Sequence, residues 1–148
     1  MLKIADLSFD YNDIKILKNI DLHIKKDEFL GIIGPNGSGK STLLKNISNI
    51  LKPKAGMIYL DKKILHDYKS KDLAKKMAVV PQDTNVNFNF TVYDIIMMGR
   101  NPYQNKWGKV NDKDLEIVDE VMEVTDNHDL QDKKVNQLSR GERQREII

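Results

Sequence analysis

Residues 34 to 42 read Gly34-Pro35-Asn36-Gly37-Ser38-Gly39-Lys40-Ser41-Thr42, and this stretch decides how the rest of the chain is interpreted. It matches the pattern G-x-x-x-x-G-K-[ST], in which a glycine-rich turn opens a helix. Such a turn directs its N–H groups into one concavity at the positive end of the helix dipole, where an anion is stabilised. Lys40 adds a positive charge, and the Ser41 hydroxyl is an oxygen ligand that suits Mg²⁺. The stretch predicts a phosphate-binding loop, with a chance glycine-rich turn as the alternative.

The residues on either side have the expected context for such a loop, a strand before it and a helix after it. Residues 29–33, Phe-Leu-Gly-Ile-Ile, form a short apolar run that predicts a buried strand ending at Gly34. Residues 41–51 predict a helix, because apolar residues recur at helical spacing at Leu43, Leu44, Ile47, Ile50 and Leu51.

Composition excludes several classes of protein. The chain of 148 residues is 40% hydrophobic and 31% charged, which is ordinary for one globular domain. Its formal net charge of +2 is too small to indicate an electrostatic nucleic-acid binder, so we expect no nucleic-acid partner. It has no cysteine, which suits a reducing compartment, and no run approaches the roughly 20 apolar residues of a membrane span.

Short strands flank the loop region in the sequence. Residues 2–9 and 14–24 predict a β-hairpin whose bend at 10–13 contains Tyr11. On position alone Tyr11 is an ordinary turn tyrosine. After a break at 52–56, residues 57–60 predict another strand, followed by a turn and a short helix over 70–76.

A second apolar run, at 77–80, predicts another buried strand that delivers Gln82 to its end. In open α/β sheets, ligands bind at the carboxyl ends of the strands, so Gln82 could meet a nucleotide or its metal ion. A solvated loop glutamine is the alternative.

The second half of the chain predicts a small helical lobe. Thr91 is a candidate N-cap for a helix through Met98 that ends at Gly99, and residues 112–124 predict an amphipathic helix. A last helix follows residue 138 and runs to Ile148. His23, His66 and His128 do not have metal-ligand spacing.

The phosphate loop, Gln82 and Leu138-Ser139-Arg140-Gly141-Glu142, in that order, resemble the ATP-binding subunits of ABC transporters. The resemblance covers the whole chain. It implies an α/β fold, the P-loop NTPase core of ABC type with an antiparallel β-subdomain and a helical subdomain, incomplete at the C-terminus. Within one nucleotide-binding domain over 1–148, it implies a β-subdomain and P-loop core over 1–80, a Q-loop and helical subdomain over 83–137, and the signature motif with its helix over 138–148.

The resemblance also implies roles for individual residues, with ATP and Mg²⁺ as cofactors. Lys40 and Gln82 would be catalytic, and Ser41 and Gln82 would bind the metal ion. The residues implied in nucleotide binding are Tyr11, which would stack on adenine, the Walker A residues Gly34, Pro35, Asn36, Gly37, Ser38, Gly39, Lys40, Ser41 and Thr42, and the signature residues Ser139, Gly141 and Glu142.

The family resemblance implies several partners. They are a second ATP-binding subunit, as a homodimer whose signature motifs face the opposite P-loops, two transmembrane permease subunits and, indirectly, an extracytoplasmic solute-binding protein. The protein would lie peripherally on the cytoplasmic face of the membrane. Residues 91–103 are similar to importers of iron chelates such as iron-siderophores, of haem or of cobalamin, with another ABC subclass as the alternative.

Two departures from the family pattern affect the expected activity. Arg140 replaces a customary glycine, which we expect to be tolerated because Gly141 is retained. The family's Walker B aspartate, catalytic glutamate, D-loop and switch histidine follow the signature, and the sequence ends at Ile148 before them. We therefore expect residues 1–148 alone to bind nucleotide weakly, to hydrolyse it at background rate, and to leave apolar residues such as 29–33 open to solvent. The alternatives are a nucleotide-holding module without hydrolysis and a soluble ABC ATPase outside transport.

Overall fold

The computed structural model describes residues 1–80, 89–104, 110–139 and 141–142. The predictions for Gln82 and Arg140, and for the last helix beyond Glu142, lie outside these described residues. The chain divides into two units, Met1–Leu73 and Ala74–Ile148.

An antiparallel sheet of four strands, in the order β2-β1-β3-β4, forms the centre of the first unit. The predicted hairpin forms, but its first strand runs two residues beyond the predicted end at residue 9: Tyr11 pairs with Ile14, and the turn consists only of Asn12 and Asp13. Both turn residues have positive φ, 46° and 67°, which asparagine and aspartate tolerate better than most residues. The strands are β1 (Leu2–Tyr11), β2 (Ile14–Ile24), β3 (Ala55–Leu60) and β4 (Lys63–Ile64).

The alternation of buried and exposed residues along strand β1 shifts by one residue partway along the strand. Leu2 and Ile4 are buried before the change and Leu7 after it, so the period of two slips by one residue. Asp6 lies at the slip with φ of 51°, and its N–H donates to Oδ1 of Asp21 at 3.0 Å. This bulge keeps the apolar side chains of both halves on the buried face.

Helix α1 (Lys40–Ile47) begins inside the phosphate loop and ends earlier than the predicted Leu51. Asn49 adopts the left-handed conformation, with φ of 61°, just beyond the C-cap Ser48. Asparagine at this position commonly ends a helix, which the apolar spacing could not show. The next helix, α2, spans Ser70–Ala74, two residues shorter than predicted.

The two predicted buried strands, at 29–33 and 77–80, are wrong: neither segment has strand structure. Phe29 is 99% exposed and Ile33 is 96% exposed, so the expected exposure of 29–33 is confirmed. An apolar run becomes a buried strand only when other strands pair with it and both faces are covered. Within the part of the chain that the structure describes, no strand pairs with either run.

The second unit contains the two predicted helices with the predicted bounds, α3 (Val92–Met98) and α4 (Asp112–Val124). Thr91 caps α3: its Oγ1 accepts from the N–H of Asp94, and Asp94 Oδ2 accepts from the N–H of Thr91. The backbone N–H of Thr91, and then its hydroxyl, hold the pKa of Asp94 below its usual value. The helices pack on a shared core of Val92, Ile96, Val118, Met122 and Leu138.

The described residues also contain three short 3₁₀ turns, at Leu65–Asp67, His128–Leu130 and Val135–Gln137. Among the helices of the described ranges, none has the length and apolar character to cross a membrane.

Candidate functional site

Glycine conformation shapes the phosphate loop. Gly37 and Gly39 have φ of 80° and 92°, values that other L-residues rarely adopt. Gly39 is the N-cap of α1, and its carbonyl accepts the first helical hydrogen bond, from Leu43 N–H at 2.8 Å. It supplies no side-chain cap, so the N–H groups of the first helical turn remain available to an anion.

The Lys40 side chain folds back across the loop that precedes it. Its Nζ donates to the carbonyl oxygens of Gly34 at 2.8 Å and Pro35 at 2.7 Å, and lies 3.4 Å from Ser38 Oγ. A backbone hydrogen bond from Ser38 N–H to the Pro35 carbonyl, at 3.3 Å, closes the turn. These contacts hold the ammonium against the first half of the loop, at Gly34, Pro35 and Ser38.

The loop lies against strand β2. A Cβ placed on Gly39 would approach Leu17 Cδ2 to 3.0 Å and Ile16 Cγ2 to 3.3 Å, so the backbone there has almost no room for a side chain. Ile16 is two residues from Ile14, the strand partner of Tyr11. With about 3.3 Å of rise per residue, this register places the end of the hairpin within roughly 10 Å of the loop.

Tyr11 is held in place by a neighbouring aromatic ring. Its ring meets Phe9 edge to face, with centroids 4.9 Å apart and planes at 81°. Tyr11 is 43% exposed, whereas Phe9 is 7% exposed and belongs to the core. Phe9 therefore orients the tyrosine while leaving much of its ring open.

The signature residues form a capping box in the second unit. Ser139 N–H donates to Glu142 Oε2 at 2.7 Å, and Glu142 N–H donates to Ser139 Oγ at 3.3 Å. Among the described residues, a Cβ on Gly141 would meet nothing within 4 Å. The Ser139 hydroxyl keeps its own proton free for donation, because it acts only as an acceptor in the cap.

Sequence reasoning missed two features of these sites. Leu138, noted only as part of the signature, is 5% exposed and anchors that motif in the core shared by α3 and α4. An apolar residue directly before a capping box often packs against the protein, and Leu138 in that position was the sequence signal for its burial. The role of Ile16 and Leu17 as the surface behind the loop had no signal, because it arises from contacts far apart in the sequence.

The residues fit a magnesium ion in one respect. Ser41 is exposed on the first turn of α1, beside the proposed anion position, so its hydroxyl is accessible as a ligand. The described ranges contain no cluster of three or more His, Cys, Asp or Glu residues that could hold a metal ion by themselves. Ser41 therefore suits an ion that arrives bound to phosphate oxygens.

Comparison with known proteins identifies the family. The ABC transporter family model matches residues 17–148. An ABC transporter ATP-binding protein of Methanocaldococcus jannaschii, MJ0873, is 43% identical over the whole chain, which covers 51% of that protein. The iron(3+)-hydroxamate import ATP-binding protein FhuC of Bacillus subtilis is 37% identical over 97% of the chain and 54% of its own length. The chain thus spans about half the length of these curated relatives.

A solved structure agrees with these matches. The dimeric, post-hydrolysis ATP-binding cassette MJ0796, bound to ADP and Pi, superposes with a TM-score of 0.80 at 28% identity, over 99% of this chain and 67% of that one. The order of motifs, the fold and the family match lead to one conclusion: the chain belongs to the ABC transporter family.

Proposed function

We propose that the chain binds ATP at its phosphate loop and is part of the ATP-hydrolysing subunit of an ABC importer. The observation that carries the proposal is Lys40 Nζ, fixed between the carbonyls of Gly34 and Pro35 at the start of α1. The ammonium has three N–H donors, and two of them go to these carbonyls, so the third, directed at Ser38 Oγ over 3.4 Å, is the donor that a phosphate oxygen would take. The N–H groups of the first turn of α1, which have no intrahelical acceptor, would add donors for the same anion.

A nucleotide with several phosphates suits this cradle. Backbone N–H groups of the loop would face the phosphates, except at Pro35, which has none, and at Ser38, which donates to the Pro35 carbonyl, while Lys40 would reach the outer phosphates. Mg²⁺ bound to those phosphates would take the Ser41 hydroxyl as a ligand and would neutralise negative charge on the phosphate oxygens. Gln82 is proposed as a further ligand and a catalytic residue from the family resemblance alone, since it lies outside the described residues.

Tyr11 is proposed to stack on the adenine ring. Support comes from its exposed ring, from Phe9 holding its edge, and from the register that brings the hairpin end near the loop. Base stacking on an aromatic side chain contributes about 1–3 kcal/mol, enough to add one to two orders of magnitude in affinity.

Ser139, Gly141 and Glu142 are proposed to act on the nucleotide of a second subunit. The Ser139 hydroxyl proton and the backbone at Gly141 are phosphate-binding groups at a helix start. The dimeric form of the MJ0796 cassette supports a homodimer. In this arrangement each subunit supplies a phosphate loop and a signature motif to different nucleotides.

The proposed process is import of an iron chelate such as an iron-siderophore, with haem or cobalamin as related solutes. The iron(3+)-hydroxamate import relative supports this class, as does the sequence similarity of residues 91–103. Such a subunit would work with two transmembrane permease subunits, and indirectly with a solute-binding protein, from the cytoplasmic face of the membrane.

Calorimetric titration of MgATP into the chain tests the proposal. Lys40→Ala removes a charged hydrogen-bond donor, which costs about 1.5–3 kcal/mol, so affinity should fall roughly 10- to 150-fold. Lys45→Ala is the matched control, because this exposed lysine lies in the last turn of the same helix. The affinity of the Lys45→Ala variant for ATP should stay within about twofold of the wild-type value. Equal ATP affinity for Lys40→Ala and wild type would remove the assignment of the phosphate loop.

A further inference from the structure

We propose that Phe9 is a positioning residue of the nucleotide site, because it holds the Tyr11 ring in the orientation in which adenine stacks on it. The inference rests on the proposed function, in which Tyr11 stacks on the base of ATP. Phe9 is 7% exposed and Tyr11 is 43% exposed, so the nucleotide meets the tyrosine and not the phenylalanine. The effect of Phe9 on binding therefore passes through the Tyr11 ring.

The geometry of β1 brings the two rings together. Phe9 and Tyr11 are two residues apart, so their side chains leave the strand on the same face. The pairing shifts between Phe9 and Asp10, but the extra residue, Ile16, lies on β2, so the alternation of β1 continues to Tyr11. The rings meet edge to face, with centroids 4.9 Å apart and planes at 81°, which is an arrangement that aromatic pairs prefer.

Other constraints on the Tyr11 ring are weak. Within the described part of the chain its hydroxyl has no hydrogen-bond partner, whereas the Tyr68 hydroxyl donates to the Leu60 carbonyl at 2.9 Å. Ile14, the strand partner of Tyr11, is 67% exposed and covers little of its neighbours. The contact with Phe9 is thus the one that favours a single orientation of the ring.

Phe9 is itself anchored against the phosphate loop. Its strand partner is Leu17, which is 5% exposed, and partners on one face of a sheet have Cβ atoms about 5 Å apart. A Cβ on Gly39 would approach Leu17 Cδ2 to 3.0 Å, so Leu17 also lies against the loop. A packed row of Gly39, Leu17, Phe9 and Tyr11 connects the phosphate loop to the stacking ring. This row sets where the base lies relative to the phosphates.

The size of the effect follows from the energy of an aromatic pair. An edge-to-face contact favours the held orientation by about two- to tenfold. When the competent orientation is less populated, the apparent affinity falls in proportion to its population. Phe9→Leu should therefore weaken ATP binding by about two- to tenfold, and by no more than Tyr11→Ala does. Inorganic triphosphate has no base to stack, so its affinity should not change.

Calorimetric titrations of MgATP and of inorganic triphosphate with Mg²⁺ test the inference on wild type, Phe9→Leu, Tyr11→Ala and the double variant. The double variant should bind ATP as Tyr11→Ala does, because Phe9 acts only through the ring. Leu7→Val is the matched control. Leu7 is fully buried on the same strand, four residues or roughly 13 Å from Tyr11, so this change loosens the core without touching the ring. Its affinity for ATP should equal that of wild type.

Three results would overturn the inference and leave the stacking itself in place. The first is an equal loss of affinity for ATP and triphosphate in Phe9→Leu, which would make Phe9 a residue of the fold alone. The second is unchanged ATP affinity in Phe9→Leu beside weakened binding in Tyr11→Ala. The third is further weakening when Phe9→Leu is added to Tyr11→Ala. Unchanged ATP affinity in Tyr11→Ala would instead remove the proposed stacking, and this inference with it.

A measurement on the wild-type chain decides the matter even if Phe9→Leu does not fold. Nuclear Overhauser effects between the ring protons of Phe9 and Tyr11 should be present in the free chain, because the centroids are 4.9 Å apart. They should persist when MgATP saturates the chain, since the same contact supports the stacked ring. Their loss on binding ATP would show that the tyrosine leaves Phe9 to meet the base, which would contradict the inference.

Discussion

Replacing Asp114 with alanine should destabilise the second unit strongly, because its buried carboxylate bonds both to a residue that follows α3 and to the start of α4. Asp114 is 2% exposed, and its Oδ1 accepts from Arg100 Nε at 3.0 Å and lies 2.9 Å from a terminal guanidinium nitrogen. Its Oδ2 also accepts from Asn111 N–H at 3.3 Å, within the capping box of α4. The carboxylate thus ties the residues after α3 to the start of α4.

The expected cost comes from the charge left behind. Breaking a buried ion pair by removing one partner costs about 3–5 kcal/mol. Here the Arg100 side chain keeps 16% exposure and stacks on Tyr103, with its guanidinium carbon 4.0 Å from the ring centroid. Partial exposure and stacking both stabilise the unpaired guanidinium, so we expect the free energy of unfolding to fall by about 3 kcal/mol, the lower end of that range.

Amide hydrogen exchange measures this loss locally, since the protection of α3 and α4 amides reports the opening free energy of their own unit. Asp112→Ala is the matched control, because Asp112 is exposed in the first turn of the same helix and should cost less than about 1 kcal/mol. The double variant Asp114→Ala/Arg100→Met should recover part of the loss, since it leaves no unpaired charge. A loss below about 1 kcal/mol for Asp114→Ala would refute the reasoning.

Three further predictions concern other parts of the chain. Tyr11→Ala should weaken ATP binding by about 1–3 kcal/mol in calorimetry, and an unchanged affinity would make Tyr11 an ordinary turn residue. Gly56→Ala should destabilise the first unit by more than about 1 kcal/mol in urea unfolding, because Gly56 has φ of 80° and a Cβ there would overlap the backbone oxygens of Ala5 and Asp6. Gly31→Ala is the control, because a Cβ at Gly31 would meet nothing within 4 Å in the described part of the chain. The pKa of Asp94 is lowered in the folded chain, so the stability that its carboxylate contributes is present above the unfolded pKa and is lost as pH falls through the folded pKa. Asp94→Asn should therefore be less stable than wild type at neutral pH, and the difference between the two should shrink at acid pH. A difference that stays constant with pH would contradict this.

Local sequence signals predicted the parts of the fold that depend on neighbouring residues. The Asn12-Asp13 pair fits a two-residue hairpin turn, and the Thr91 cap fixes the start of α3. The glycines of the phosphate loop specified its backbone in the same way. In each case the chemistry that determines the structure lies within a few residues.

Features that depend on distant residues could not be predicted in this way. Residues 29–33 have the composition of a buried strand, but composition does not supply the strands that must pair with it. The ion pair of Arg100 with Asp114 depends on how α3 and α4 pack, and the burial of Asn46 depends on how α1 packs against the sheet. Each of these side chains alone suggests a solvated surface. The two-residue strand β4 is too short to produce a periodic pattern.

The central claim is that the start of α1, with Lys40 fixed across its loop, is a phosphate cradle. The most direct test is an NMR titration of the ¹⁵N-labelled chain with MgATP, following the backbone amides of Gly37, Gly39, Lys40 and Ser41. Because these N–H groups would donate to phosphate oxygens, we predict large saturable shifts there, with those of α4 as an internal reference. Saturable binding that leaves the four loop amides unshifted would contradict the account.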